Sequence, residues 1–110
     1  MNIYIVYQWS IRPADQERCM EELAKIAAHI EKDHPDVVTS RTFIQSTGPL
    51  PRRGITWWEE WPSMTKLEAD EGTPLCAELW KPIEEMAQPG TWTSSMWLDA
   101  PEPTRFARNR

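Results

Sequence analysis

Residues 55–70 read Ile-Thr-Trp-Trp-Glu-Glu-Trp-Pro-Ser-Met-Thr-Lys-Leu-Glu-Ala-Asp. From Ile55 to Trp61 the side chains alternate, with Ile55, Trp57, Glu59 and Trp61 on one face and Thr56, Trp58 and Glu60 on the other. Alternation of aromatic and β-branched residues with period two predicts a strand. Pro62 ends it, Ser63 offers the N-cap oxygen of a short helix, and Gly72 is a residue type that stops one. A second cap follows at once: Thr73, with Pro74 at the first helical position. Leu75, Cys76, Leu79, Ile83 and Met86 then form an apolar stripe at helical spacing. Pro82 lies inside that helix, removes one backbone hydrogen bond and predicts a kink.

Working outward, Ile3 to Ile11 also alternates, with Ile3, Ile5, Tyr7, Trp9 and Ile11 opposed to Tyr4, Val6, Gln8 and Ser10, so it reads as a strand. Pro13 ends it and Asp15 is placed to cap a helix from Gln16 to His34. Cys19, Leu23, Ile26, Ala27 and Ile30 give that helix its buried face, and Pro35 stops it. Val37 to Ser46 reads as a second strand, Thr47 to Gly54 as a loop, and Thr91 to Leu98, after Pro89-Gly90, as the last strand. The order β-α-β-β-α-β predicts an α+β, ferredoxin-like domain over residues 1–100, an antiparallel sheet with its helices on one face. The opposite face carries Tyr4, Val6 and Trp58, too apolar to stand in water, which predicts a homodimer. Residues 101–110 hold three arginines, one glutamate and two prolines and read as a flexible basic tail.

The chain has 110 residues, 17 acids against 12 bases, and seven tryptophans. That length suits one domain, and a net charge of -5 argues against a nucleic-acid binder, which needs a basic face. No apolar run reaches the roughly 20 residues of a membrane span, and no signal peptide opens the sequence, so no membrane partner and a cytoplasmic location are expected. So many indoles in a small domain point to a self-association face or to a cavity shaped for flat ligands.

The chemistry-bearing motifs are few. His29 and His34 are five apart, about 140° around a helix axis, which predicts surface or capping histidines and no metal site. No Gly-rich phosphate cradle is present and no cofactor is assigned. Cys19 and Cys76 both fall on predicted core faces, as inert packing groups. Glu59 and Glu60 point to opposite faces and cannot act as a carboxylate pair. Glu59 shares its face with Trp57 and Trp61, where desolvation would raise its pKa and suit it as a general base. A hydrogen bond to an indole N–H or a salt bridge would use the same placement. Tyr7 is placed either to present its hydroxyl to a small-molecule pocket or to act as an ordinary core tyrosine.

At Glu59-Glu60-Trp61 and the following Pro62-Ser63-Met64-Thr65-Lys66-Leu67-Glu68-Ala69-Asp70, the chain resembles the Glu-x-Trp-plus-helix signature of the dimeric α+β barrel superfamily. Within it, the sequence is most similar to the antibiotic biosynthesis monooxygenase family, over about residues 3–98. Arg12-Pro13 and His34-Pro35-Asp36 stand at further landmarks of that family. The resemblance implies a homodimer with packed sheets, a dimeric α/β barrel, and a pocket in each subunit between sheet and helices. It implies cofactor-independent oxidation of anthrones and quinols, among relatives that include haem-degrading enzymes, polyketide cyclases and muconolactone-type isomerases. Asp70 and Leu75 stand where many members carry histidines, which argues against haem. The leading expectation is a monooxygenase for a small hydrophobic or aromatic ligand, with Glu59 or Asp70 as base, Asp70 reading equally as a helix-end carboxylate in solvent, and with Tyr7, Trp9, Trp57, Trp61 and Trp80 binding substrate. An aromatic polyketide cyclase or isomerase, or a non-catalytic small-molecule-binding dimer, would use the same scaffold.

Overall fold

The computed structural model describes residues 1–48 and 52–108. Its elements are β1 (Ile3–Ile11), α1 (Gln16–Asp33), β2 (Thr39–Ile44), β3 (Arg53–Trp61), α2 (Met64–Ala69), α3 (Pro74–Met86) and β4 (Thr93–Leu98). The four strands form one sheet in the order β2-β3-β1-β4, every neighbouring pair antiparallel. This is the ferredoxin-like arrangement, with α1 and α3 packed on each other and on the inner face. Residues 49–51 of the expected loop, and 109–110 of the expected tail, lie outside the described residues.

Strand alternation fixes what faces the helices. Register pairs Tyr7 with Trp57, Trp9 with Ile55 and Ile5 with Glu59, so all of these point inward. Trp9, Ile11 and Ile55 join Cys19, Leu23, Ile26 and Ile83 from the helices in a core where each is at most 3% exposed. The outer face carries Tyr4 edge-on to Trp58, flanked by Phe43 of β2 and Trp97 of β4, which are 45% and 59% exposed.

Two helix starts form as the sequence predicts. Ser63 Oγ accepts the Lys66 N–H at 3.2 Å, and Thr73 Oγ1 accepts the Cys76 N–H at 3.0 Å. Asp15 does not cap α1. It ends a 3-10 turn begun by Pro13, is itself helical in backbone, and its carboxylate pairs instead with Arg12 Nε at 3.2 Å. Helix α3 continues through Pro82. Leu75, expected on its buried stripe, is 55% exposed, because the face toward the sheet runs through Cys76, Leu79, Trp80 and Ile83.

Strand boundaries differ from the sequence expectation, and β2 spans only Thr39–Ile44 of the expected Val37 to Ser46, the stretch that pairs with β3. β3 starts at Arg53 rather than after Gly54, because β1 pairs with it that far, Ser10 opposite Gly54 and Ile11 opposite Arg53, while the Gln45 amide oxygen accepts the Gly54 N–H at 3.1 Å. An added Cβ at Gly54 would sit 2.6 Å from Gln45 Oε1 and would displace the end of that flexible side chain. Thr91 is a turn residue and not the start of β4. Its hydroxyl donates to Gln88 O at 2.7 Å and accepts from Ser10 N at 3.1 Å, beside Gly90 at φ 77°. Within the expected tail, Glu102–Thr104 forms an exposed 3-10 turn.

Ile83 is fully buried between α3, α1 and the sheet. Ile83→Ala is expected to lower unfolding free energy by about 2–5 kcal/mol, read as a lower urea midpoint with an unchanged slope.

Candidate functional site

A cavity of about 420 Å³ opens between the inner sheet face, the end of α1 and the start of α3. Tyr7 of β1, Glu59 and Trp61 of β3, His34 after α1, Asp70 after α2, and Thr73, Cys76 and Trp80 around the start of α3 all line it. Other surface clefts have similar volumes. This one is distinguished by the aromatic walls and titratable groups that converge in it.

Glu59 is the carboxylate that the sheet contributes to the site. Its Oε2 accepts the Trp57 indole N–H at 3.3 Å and its Oε1 accepts that of Trp61 at 3.2 Å. Positions i–2 and i+2 on one strand face bring both indoles to it. Burial pushes the Glu59 pKa above the ordinary glutamate value, against the two indole donors and the nearby His34, which pull it down. The Tyr7 hydroxyl is likewise raised by burial, then by the Glu59 and Cys76 charges. Tyr7 packs edge-on against Trp80 at 5.6 Å.

The sequence-predicted residues divide. Tyr7, Glu59, Trp61, Asp70 and Trp80 reach the cavity wall. Trp9 and Trp57 do not. Both are 2% exposed and stand behind the wall, where Trp57 meets Trp80 at 5.5 Å and Trp9 stacks on Trp92 at 4.8 Å.

The histidines depart most from the sequence expectation. His29 and His34 are both buried, with ring centroids 5.3 Å apart. The helical angle between them does not apply, because His34 has left the helix at φ -126°, ψ 72°, the extended step forced before Pro35. His34 Nδ1 bonds Asp70 Oδ2 at 2.7 Å, and Asp70 Oδ1 accepts the Gly72 N–H at 2.6 Å. Burial alone would raise the Asp70 pKa, but the His34 and Gly72 hydrogen bonds outweigh it and hold the carboxyl low. His29 Nδ1 meets Asp33 at 2.9 Å, and its Nε2 meets Thr73 Oγ1 at 2.9 Å. A ring nitrogen of each histidine and Sγ of Cys76 lie within 4.8 Å of one another. Cys19 is a packing thiol as expected, pushed up to about 11 by burial. Cys76 instead opens onto the cavity.

Sequence reasoning missed His34, Thr73 and Cys76 as wall residues. The signal available was Pro35, which takes its predecessor off the helical wheel.

No family model matches the chain, and no curated protein matches it in sequence. Solved structures do match its fold. An antibiotic biosynthesis monooxygenase superposes with TM-score 0.68 at 17% identity, covering 90% of this chain and 99% of the other. SnoaB from Streptomyces nogalater, described as a cofactor-independent oxygenase and solved in a mutant form, gives TM-score 0.69 at 11% identity, covering 89% and 92%. A dimeric protein of unknown function and ferredoxin-like fold from Bacteroides fragilis gives 0.65 at 8% identity, covering 87% and 94%. The chain therefore has the ferredoxin-like fold found in antibiotic biosynthesis monooxygenases. Among the described residues, no helix is long and apolar enough to cross a membrane.

Because folding raises the Glu59 pKa, the native state holds its proton at pH values where the unfolded chain has lost it. Stability from this group is complete below the unfolded glutamate pKa and is lost as pH rises through the raised native one. Glu59→Gln is expected to flatten stability across that window, measured by urea midpoints from acid to neutral pH. Parallel curves for variant and parent would contradict the raised pKa.

Proposed function

We propose that the protein is a small homodimeric monooxygenase that oxidises a hydroxylated aromatic or polyketide-type substrate without a cofactor, with Glu59 as the general base. The observation that carries this reading is a desolvated carboxylate, fixed at both oxygens by indole donors, in an aromatic-walled cavity. A flat substrate held by Tyr7, Trp61 and Trp80 would give its hydroxyl proton to Glu59. Trp9 and Trp57 serve as the rigid backing of that wall. The substrate anion, kept from water, transfers one electron to O2, and the resulting radical pair joins at a ring carbon. Loss of water from the hydroperoxide leaves a quinone, so one oxygen atom enters the product and the other leaves as water. Asp70, also a candidate base from the sequence, is committed by hydrogen bonds to His34 and Gly72 and takes no proton from the substrate in this reading. The description of SnoaB as a cofactor-independent oxygenase on this fold supports the chemistry.

The test is oxygen uptake by purified protein with anthrones and naphthohydroquinones, chelator present throughout. Saturable uptake with a quinone product is expected, and Glu59→Gln should lower kcat by about 100-fold or more. An unchanged rate in Glu59→Gln would remove it as the base. Tryptophan quenching without oxygen uptake would favour the polyketide cyclase or isomerase reading, or a binding protein.

The homodimer rests on the outer sheet face, where Tyr4, Val6, Trp58, Phe43 and Trp97 stand without cover from any helix of the described residues. Burying such a face against a second copy of itself is the economical solution for an antiparallel sheet. Native mass spectrometry should give twice 12.9 kDa for the parent, with a shift toward monomer in Trp58→Ala. A Trp58→Ala dimer as tight as the parent's would place the interface elsewhere.

A further inference from the structure

The cluster of His29, His34 and Cys76 is not used by the chemistry above, and its donor set is that of a metal site. Two imidazoles and a thiol suit a borderline-soft divalent ion such as Zn²⁺. Each histidine has its Nδ1 against a carboxylate, Asp33 at 2.9 Å for His29 and Asp70 at 2.7 Å for His34. That favours the tautomer protonated at Nδ1, with the His34 Nε2 open and the His29 Nε2 held by the Thr73 hydroxyl, the carboxylate–histidine arrangement that commonly supports metal-bound imidazole. An independent observation points the same way. His34 Nε2 is buried and has no hydrogen-bond partner among the described residues, in a residue only 9% exposed. A buried polar atom left unsatisfied is uncommon and marks a missing partner.

We propose that His29, His34 and Cys76 bind one Zn²⁺-class cation, at the junction of the end of α1 with the start of α3. Tetrahedral coordination places such donors about 3.3–3.6 Å apart, so the widest pair, within 4.8 Å here, would close by up to about 1.5 Å. On binding, His29 Nε2 exchanges its Thr73 hydroxyl for the metal, while Thr73 keeps the Cys76 N–H. The Cys76 thiol gives its proton to solvent as the sulfur–metal bond forms. Asp33, Asp70 and the nearby Glu59 supply the negative field a dication needs. Three protein ligands leave a fourth position, on the cavity side, because His34 and Cys76 both line that wall. The site goes beyond the oxygenase reading and is tested by metal binding alone, so either can fail without the other.

Equilibrium dialysis of the full chain against Zn²⁺ should give one tightly held equivalent. Co²⁺ substitution should show a thiolate-to-cobalt charge-transfer band, absent in Cys76→Ser. Asp33→Asn, at a half-exposed position, should weaken Zn²⁺ binding by about 10–100-fold while leaving the fold intact. In the unaltered protein, Zn²⁺ should protect Cys76 from iodoacetamide, a readout that Cys19, fully buried, does not obscure. Alkylation of Cys76 at the same rate with and without Zn²⁺, or Co²⁺ bound with no charge-transfer band, would overturn the assignment.

Discussion

The inner face of the sheet is organised around one difficulty: a carboxylate in an aromatic layer. Glu59 sits between Trp57 and Trp61 on β3, opposite Ile5 of β1. An ionised carboxylate in such a place is costly unless its oxygens are bonded. The two indoles resolve this by placing one N–H on each oxygen while their rings pack into the core. Apolar side chains packed against Glu59 from the helix side would leave no room for a charged state. The cavity opens at Glu59, and a desolvated carboxylate facing a void is the starting point of acid–base chemistry.

The tryptophans divide between the two faces of the sheet, the strand tryptophans by parity and Trp80 by its place on α3. Trp9, Trp57, Trp80 and Trp92 form a continuous cluster of edge-on and stacked contacts on the inner side. They stiffen the wall that Trp61 and Trp80 present to the cavity. Trp58 and Trp97 belong to the outer face, where Trp97 is 59% exposed and bonds Ser95 through its indole at 2.7 Å. One composition statistic thus answers two needs, a rigid pocket and an apolar face, because alternation along a strand sends neighbours in opposite directions.

The fold and half of the site are legible in the sequence for a common reason. Strand alternation at Ile3–Ile11 and Ile55–Trp61, and the caps at Ser63 and Thr73, are local rules that act within a few residues. Glu59 meeting Trp57 and Trp61 follows from the same alternation. What fails to show depends on distance in the chain. Gly54 looks like a loop glycine until Gln45 is seen to lie across it. Trp9 has the same strand parity as Tyr7, yet only Tyr7 reaches the cavity, because α3 and Trp92 cover Trp9. Burial on one sheet face is uniform in sequence and uneven in space.

His34 shows how a single backbone step reassigns the chemistry around it. As a helical residue it would stand well away from His29. As the residue before Pro35 it turns back, meets Asp70 from beyond α2, and brings its ring to that of His29. This closure ties α1 to the α2–α3 connection and makes one cavity wall from segments 36 residues apart. It also separates the two acids that the sequence offers as bases. Asp70 is bonded through both oxygens, to His34 and to Gly72, and its carboxyl is held low, so it is a poor proton acceptor. Glu59 is bonded too, but to weakly polar indoles, and its pKa moves the other way. Two carboxylates in one cavity with opposite shifts are suited to different tasks. Asp70 is suited to orient a histidine and Glu59 to take a proton.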